Sequence, residues 1–498
     1  MKEHNCGRDE TDLPELPDRA IWIEAANPTR IRLFEPKGAR AKYIALSYCW
    51  GPVSSETFLT DASTFEARKA GIRPEELPPL FQDVVRCARE LGIEYIWIDR
   101  LCIIQGDAND FKIQAPKMGE IYGNATLTIS AASATTENDR ILVERESKWL
   151  SSERNLNLGE AESLRCRRRS HPLGKEKTGG DYGRVSTRAW IWQERLLSAR
   201  TVFYTPSGLK FECHRHSIWE GFAKGVTGHS WSGQLDNAIS QLSWMELVED
   251  YMRRDISRPS DRLPAINSVM GRIARRQGWV PLWGIWADAI VEGLTWEAKQ
   301  SASLEETASL CVMNTDYYAP SWSWASVNGP ISYTAAKPTP LLKDVYDLEV
   351  EDFDDSSGLI TLTGRAIYVE MRCVSSWVNP AGDSSQDKSF RYRYEVLHLH
   401  EIGPFLIKAD VPLKPWSGIV NGREAATVIR VPYGETPPDK PWKAKCICLL
   451  VHKAMRTCQV LFLCHSLRKP GAFERIGTTS GLDPVIFATS EKSTIRIA

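Results

Sequence analysis

Three groups of polar and aromatic residues fall where strands of this chain should end, and their types suit recognition of a flat heteroaromatic ligand. Ser47, Tyr48 and Trp50 close and follow the apolar run at 43–48. Asp99 and Cys102 follow the run at 93–98, and Trp190, Gln193 and Glu194 lie together in a later helical stretch. Aromatic rings can wall a cleft, and carboxylates can place charge inside it. Each residue taken singly also has a plain structural reading. Asp99 can cap the turn after it, Glu194 can pair with Arg188 or Arg195, the tryptophans can be core, and Cys102 can be a buried thiol rather than a nucleophile.

Other chemistries find less support. No GxGxxG or GxxxxGK[ST] string is present, so neither glycine-rich phosphate device is available. Cys213-His214-Arg215-His216 and the set Cys446, Cys448, His452, Cys464 and His465 do not follow a zinc-ligand spacing, and no metal site is expected.

The elements that must position these residues alternate. A strand at 43–48 ends at Trp50-Gly51-Pro52, and Leu80, Phe81, Val84, Val85, Ala88 and Leu91 recur at helical spacing up to Gly92. A continuously apolar run at 93–98 follows, then a helical stretch through Met118, Ile121 and Tyr122, then alternation at 125–129. Strand, helix, strand, helix, strand predicts an α/β layer with a parallel sheet, whose ligands sit beyond the carboxyl ends of its strands. Residues 1–40 read as a proline-bearing lead-in with one strand near Ala20. Residues 41–225 read as the α/β domain, 226–330 as a helical extension and 331–498 as a β-rich domain. Residues 135–185, with the basic run Arg165-Cys166-Arg167-Arg168-Arg169 and Gly179-Gly180, read as a surface insertion or an anionic-partner patch.

Composition bounds the function. The 498 residues carry 62 basic and 63 acidic side chains, without the basic excess of a nucleic-acid binder. With 18 Trp, 15 Tyr and 14 Phe the chain has ample apolar surface to bury, which excludes global disorder. No stretch reaches the roughly 18 uninterrupted apolar residues of a membrane span and the N-terminus lacks a secretory core, so a cytoplasmic protein without structural disulfides is expected.

Four blocks carry a family resemblance: YIALSYCWG (43–51), LPPLFQDVVRCARELGIEYIWIDRLCIIQ (77–105), MGEIYGNATLTISAA (118–132) and RAWIWQERLLSARTVFY (188–204). In order and spacing they resemble the HET, or heterokaryon-incompatibility, domains of filamentous fungi. WGIWADAIVEGLTW (283–296) and APSWSWASVNG (319–329) resemble the extension that follows that domain. The resemblance implies a trigger of programmed cell death in fungal allorecognition and innate immunity, with a fold related to TIR domains. Several TIR domains cleave the nicotinamide–ribose bond of NAD through one glutamate. It therefore implies NAD as substrate with no required cofactor, and self-association into a homo-oligomer with a possible protein partner. A non-enzymatic death module acting by oligomerisation and partner binding is the alternative it leaves.

The same resemblance places the glutamate expected before Met-x-x-Ile-Tyr at Gln114, with Glu194 in the WQER block as second candidate. A carboxylate is needed because loss of nicotinamide builds positive charge on the ribose, which a neutral side chain cannot offset. At 100° per residue Gln114 falls on the side of Phe111, Met118 and Ile121, so it should point inward, although Pro116 should start or kink the helix there. An inward glutamine at that position reads as natural loss of activity, as an isosteric inactivation, or as a position that is not catalytic. If it is the acid's position, the glutamate form should be faster by roughly 10² to 10⁴. Ser47, Tyr48, Trp50, Asp99, Cys102, Trp190 and Gln193 are the expected substrate-binding set.

Overall fold

A computed structural model of the chain describes residues 13–24, 27, 29–52, 57–144, 154–157, 163–166, 183–206, 208–220, 235, 239–299, 318–333, 346–378, 389–397, 404–420, 423–431, 435, 438, 440–453 and 457–498. The chain divides into two compact units. The first comprises residues 1–239, 254–256 and 264–277, and the second residues 240–253, 257–263 and 278–498.

The first unit is a mixed α/β layer. Its strands are β1 (Ala20–Ile23), β2 (Ile31–Phe34), β3 (Tyr43–Ser47), β4 (Tyr95–Trp97), β5 (Leu127–Ser130), a separate hairpin of β6 (Arg154–Asn157) and β7 (Ser163–Cys166), then β8 (Arg200–Thr205), β9 (Gly208–Cys213) and β10 (Ser217–Trp219). All but the hairpin form one sheet in the order β10-β9-β8-β5-β3-β4-β1-β2. β4, β3, β5 and β8 are mutually parallel, while β1, β2, β9 and β10 add antiparallel edges. The parallel sheet expected from the alternation is present, and the edge strand β2 is an addition the sequence reading does not foresee. Every residue of β3 is buried, as a central parallel strand covered on both faces requires.

Helices connect these strands: α1 (Phe65–Ala70), α2 (Pro79–Glu90), α3 (Asp99–Cys102), α4 (Ala108–Gln114), α5 (Met118–Asn124) and α6 (Ala189–Leu197). α2 stops where Gly92 takes φ +65°, a conformation that suits glycine. Asp107 caps α4 by accepting from the Asn109 and Asp110 amides. Pro116 has no N–H for an α-helical bond, and the chain tightens into a 3₁₀ turn at Ala115–Lys117 before α5 restarts at Met118. Arg167–Arg169 and Gly179-Gly180 lie outside the described residues.

Strand order fixes where a ligand can sit. From β3 the chain crosses to β4 on one side, then returns past β3 to β5 and on to β8. Reversal of the winding direction marks a crevice position at the carboxyl ends of β3 and β5, the usual ligand position in doubly wound sheets. α6 packs beside α5 and beneath α8 (Pro264–Gln277), the helix that follows α7 (Gln241–Tyr251) of the second unit.

The second unit is β-rich, and six of its strands close into a barrel. The long strand Leu359–Val378 pairs with Ser389–Val396 through its second half and with Trp442–Lys453 over residues 366–373. Cys458–His465, Phe473–Leu482 and Phe405–Ala409 complete the circuit. The tryptophans of the 319–329 block fasten a loop to this unit: Trp322 Nε1 donates to Gly358 O at 2.9 Å and Trp324 Nε1 to Gly284 O at 2.8 Å. Arg475, fully buried, donates from Nε to Asp410 at 2.8 Å and from Nη1 to Leu294 O at 2.6 Å, with Trp296 stacked 3.6 Å from its guanidinium carbon.

Close helix packing in the first unit depends on Gly119 in α5, where a Cβ would stand 2.3 Å from Ser268 Cβ of α8. Gly119→Ala should therefore destabilise the first unit by about 1–3 kcal/mol, read as a lowered denaturation midpoint in urea. An unchanged midpoint would mean that α5 and α8 are not packed this closely.

Candidate functional site

β3 and its other parallel neighbour, β4, deliver side chains at their carboxyl ends. β3 ends in Ser47, and Tyr48 follows on the opposite face, where its ring meets Phe81 of α2 edge-on at 5.4 Å. β4 passes through Ile98 into Asp99, which starts α3. Glu194 lies on α6 and Tyr122 on α5, the two helices that cover the same face of the sheet.

Asp99 accepts one hydrogen bond on each oxygen. Trp50 Nε1 donates to its Oδ2 at 2.6 Å and the Arg100 amide to its Oδ1 at 2.7 Å. Arg100 in turn lies over the Trp50 ring at 4.6 Å, donates to Trp50 O at 3.0 Å and forms a buried ion pair with Glu137. Trp50 is thereby fixed at its N–H, its ring face and its carbonyl. Partial desolvation holds the Asp99 carboxyl above its usual range despite these donors. The phenol of Tyr48 is buried close to Asp99, and its oxygen has no hydrogen-bond partner among the described residues.

Glu194 is in a different condition. It is 4% exposed, and its Oε2 is buried with no hydrogen-bond partner among the described residues. Burial pushes its carboxyl up to about 7; the charge of Asp99 adds to that rise, while the Ser47 hydroxyl, the Arg188 charge and the Tyr122 phenol oppose it. Tyr122 is held by donating to Leu46 O at 2.9 Å. Arg188, half-buried at the start of α6, bears electrostatically on Tyr48, Asp99 and Glu194 without a hydrogen bond or ion pair from its own side chain among the described residues. Beside Ser47 a cavity of about 20 Å³, enough for one water, is lined by hydroxyls including Thr128, Ser130 and Thr201.

The expected residues thus separate. Ser47, Tyr48, Trp50, Asp99 and Glu194 gather at the crevice. Trp190, one helical turn before Glu194, meets Phe111 edge-on at 6.1 Å and stands beside the same core. Gln193 turns to α8, where its Oε1 accepts from the Ser268 amide at 3.1 Å. Cys102 is buried, its thiol pushed up to about 12 by desolvation, and its carbonyl accepts from Arg19 Nε at 2.7 Å.

Gln114 is buried, as the wheel predicts, but its Nε2 donates at 2.9 Å to Asp18, which also accepts from Lys117 at 2.6 Å. A carboxylate at 114 would stand against that of Asp18, so the amide here is matched to its neighbour. Tyr122, Arg100, Glu137 and Arg188 are the site members that sequence reasoning misses. Tyr122 and Arg188 sit inside the quoted blocks, one as a helical apolar position and the other as the letter before AWIWQER. No group of three or more metal-ligating side chains occurs among the described residues.

Glu194 carries a signature in stability. Its folded pKa lies above the ordinary carboxylate value, so between pH 4.5 and 7 the unfolded chain sheds a proton that the folded chain keeps, and stability falls as pH rises through that window. Glu194→Gln should remove the loss, stabilising the protein by up to about 3 kcal/mol at pH 7.5 and by little at pH 4.5. Thermal melts at the two pH values test this; equal melting points at pH 7.5 would mean Glu194 ionises normally.

Comparison with known proteins bears on the same part of the chain. Neither curated proteins nor solved structures give a match. Residues 43–194 match the family model described as Heterokaryon incompatibility protein (HET), an interval that starts at the first residue of β3 and ends on Glu194. Over those residues, the part of the first unit that runs from β3 to α6, the chain is similar to the HET domain.

Proposed function

We propose that this protein is a heterokaryon-incompatibility death effector whose HET domain hydrolyses the nicotinamide–ribose bond of NAD, with Glu194 as the principal catalytic carboxylate. The observation that carries the reading is the buried Glu194 carboxylate with an unpartnered oxygen, beside Ser47 and Tyr122 at the carboxyl ends of parallel strands. In the reaction the ribose C1′–nitrogen bond breaks and its electron pair leaves with neutral nicotinamide. Water adds at C1′ and releases a proton, giving ADP-ribose. The leaving pyridinium is already cationic, so departure needs no proton donor. What it needs is negative charge near the developing oxocarbenium, which ionised Glu194 supplies from a desolvated position.

The neighbours take separable parts. Asp99, which accepts from Trp50 and the Arg100 amide, orients the Trp50 wall on which a nicotinamide or adenine ring can lie. Arg188 offers its guanidinium to the pyrophosphate. Gln114, engaged by Asp18, stands outside this scheme. Self-association and a recognition partner remain part of the proposal, on the strength of the family resemblance.

Nicotinamide release from NAD by the purified full chain is the test. Wild-type protein should turn over, Glu194→Gln should lose about 10²–10⁴ of the rate with its fold intact, and Gln114→Glu should not raise it. Because the ionised carboxylate is the working form, the rate should climb with pH around a midpoint near 7, the value to which burial lifts Glu194. Arg188→Gln should raise the KM for NAD more than it lowers kcat. Turnover that appears only in Gln114→Glu would return the acid to position 114. Silence from every folded form with NAD and related nucleotides would favour a module that kills by assembly and partner binding.

A further inference from the structure

The second unit contains two buried guanidiniums that the acid cluster does not explain. Arg262 is 1% exposed and Arg430 6%. Arg262 follows the turn Pro259–Asp261; its Nη2 donates to Asn328 Oδ1 and its Nη1 lies 3.5 Å from Met252 Sδ. Arg430 ends the strand Arg423–Arg430 and reaches Ser326 Oγ at 3.5 Å. Ser326 and Asn328 are two residues apart just after the turn Trp324–Ser326, so the two guanidiniums flank one short piece of chain.

Neither is paired with a carboxylate among the described residues. Asp410, the buried acid whose charge reaches Arg430, is already held by Arg475 at 2.8 and 3.2 Å. Arg262 Nε, Arg430 Nε and the Tyr318 hydroxyl are all buried without a hydrogen-bond partner among the described residues. The charges of both guanidiniums act on the Tyr318 phenol. Tyr318 and Asn328 are partly exposed, so the cluster reaches the surface.

Two unpaired positive charges out of water are strongly unfavourable unless an anion joins them, and a planar guanidinium fork matches the oxygens of a phosphate. We propose that Arg262, Arg430 and Tyr318 form a phosphate-binding site in the second unit, taking free phosphate or the phosphate group of a nucleotide. A compact dianion would balance both charges and supply acceptors for donors that lack them among the described residues. Binding would stabilise the folded chain by mass action.

Isothermal titration calorimetry on the full chain, with inorganic phosphate and with AMP at constant ionic strength and chloride as reference, tests the site. Wild-type protein should bind and its melting temperature should rise with the bound anion. Tyr318→Phe, a change that keeps the ring, should weaken binding about tenfold, and Arg262→Lys by about ten- to a hundredfold. Tighter binding of AMP than of phosphate would identify a nucleotide as the source, and equal or weaker binding free phosphate. The proposal fails if wild-type protein binds neither, or if both variants bind as wild type does. Should Arg262→Lys not fold, Tyr318→Phe decides alone.

Discussion

A carboxylate kept out of water sets the terms for the rest of the first unit. Ionising Glu194 under α6 is opposed by desolvation and by the charge of Asp99, so the residues around it either supply opposing donors or satisfy Asp99 elsewhere. Tyr122, Ser47 and Arg188 do the former; Trp50 and the Arg100 amide do the latter. The result is two neighbouring acids in different conditions. Asp99 accepts from Trp50 and the Arg100 amide, while Glu194 keeps an oxygen without a partner among the described residues and a proton affinity near neutrality.

The fold makes that arrangement possible through a single reversal of winding. Because β3 is followed by β4 on one side and β5 on the other, the winding reverses between β3 and β5, and helices α5 and α6 bury the ends of those strands. α5 and α6 can then bring Tyr122 and Glu194 to one point only if they pack closely, and Gly119 beneath α8 permits that approach. In the second unit a comparable demand is met differently. Arg475 finds its carboxylate in Asp410 and joins the Leu294–Trp296 segment to the barrel, whereas Arg262 and Arg430 lie buried without one among the described residues.

Much of this is legible in the chain. The continuous apolar run of β3, the helical spacing of α2 and the alternation at β5 are periodic signals, and burial on two faces explains why β3 has no polar side. The break at Pro116 follows from a missing N–H. β2 is less legible because four residues, alternating as Ile-Arg-Leu-Phe, carry too little pattern to separate a strand from a loop. The site divides along the same line. A helical wheel turns Gln114 inward correctly, but only the fold reveals that its partner is Asp18, 96 residues earlier, and that Glu194 meets strand ends from another block. Long-range partners of this kind leave no local spacing to read.

The turn after β3 carries one more consequence. Gly51 takes φ +69°, and a Cβ there would stand 2.6 Å from the Thr136 side chain, one residue before the Glu137 that holds Arg100. The aromatic wall is therefore suspended from the segment around 136–137, while the acid is suspended from α6. Substitutions near 136–137 thus act on Trp50 and its surroundings, and substitutions in α6 act on Glu194, through separate parts of the chain.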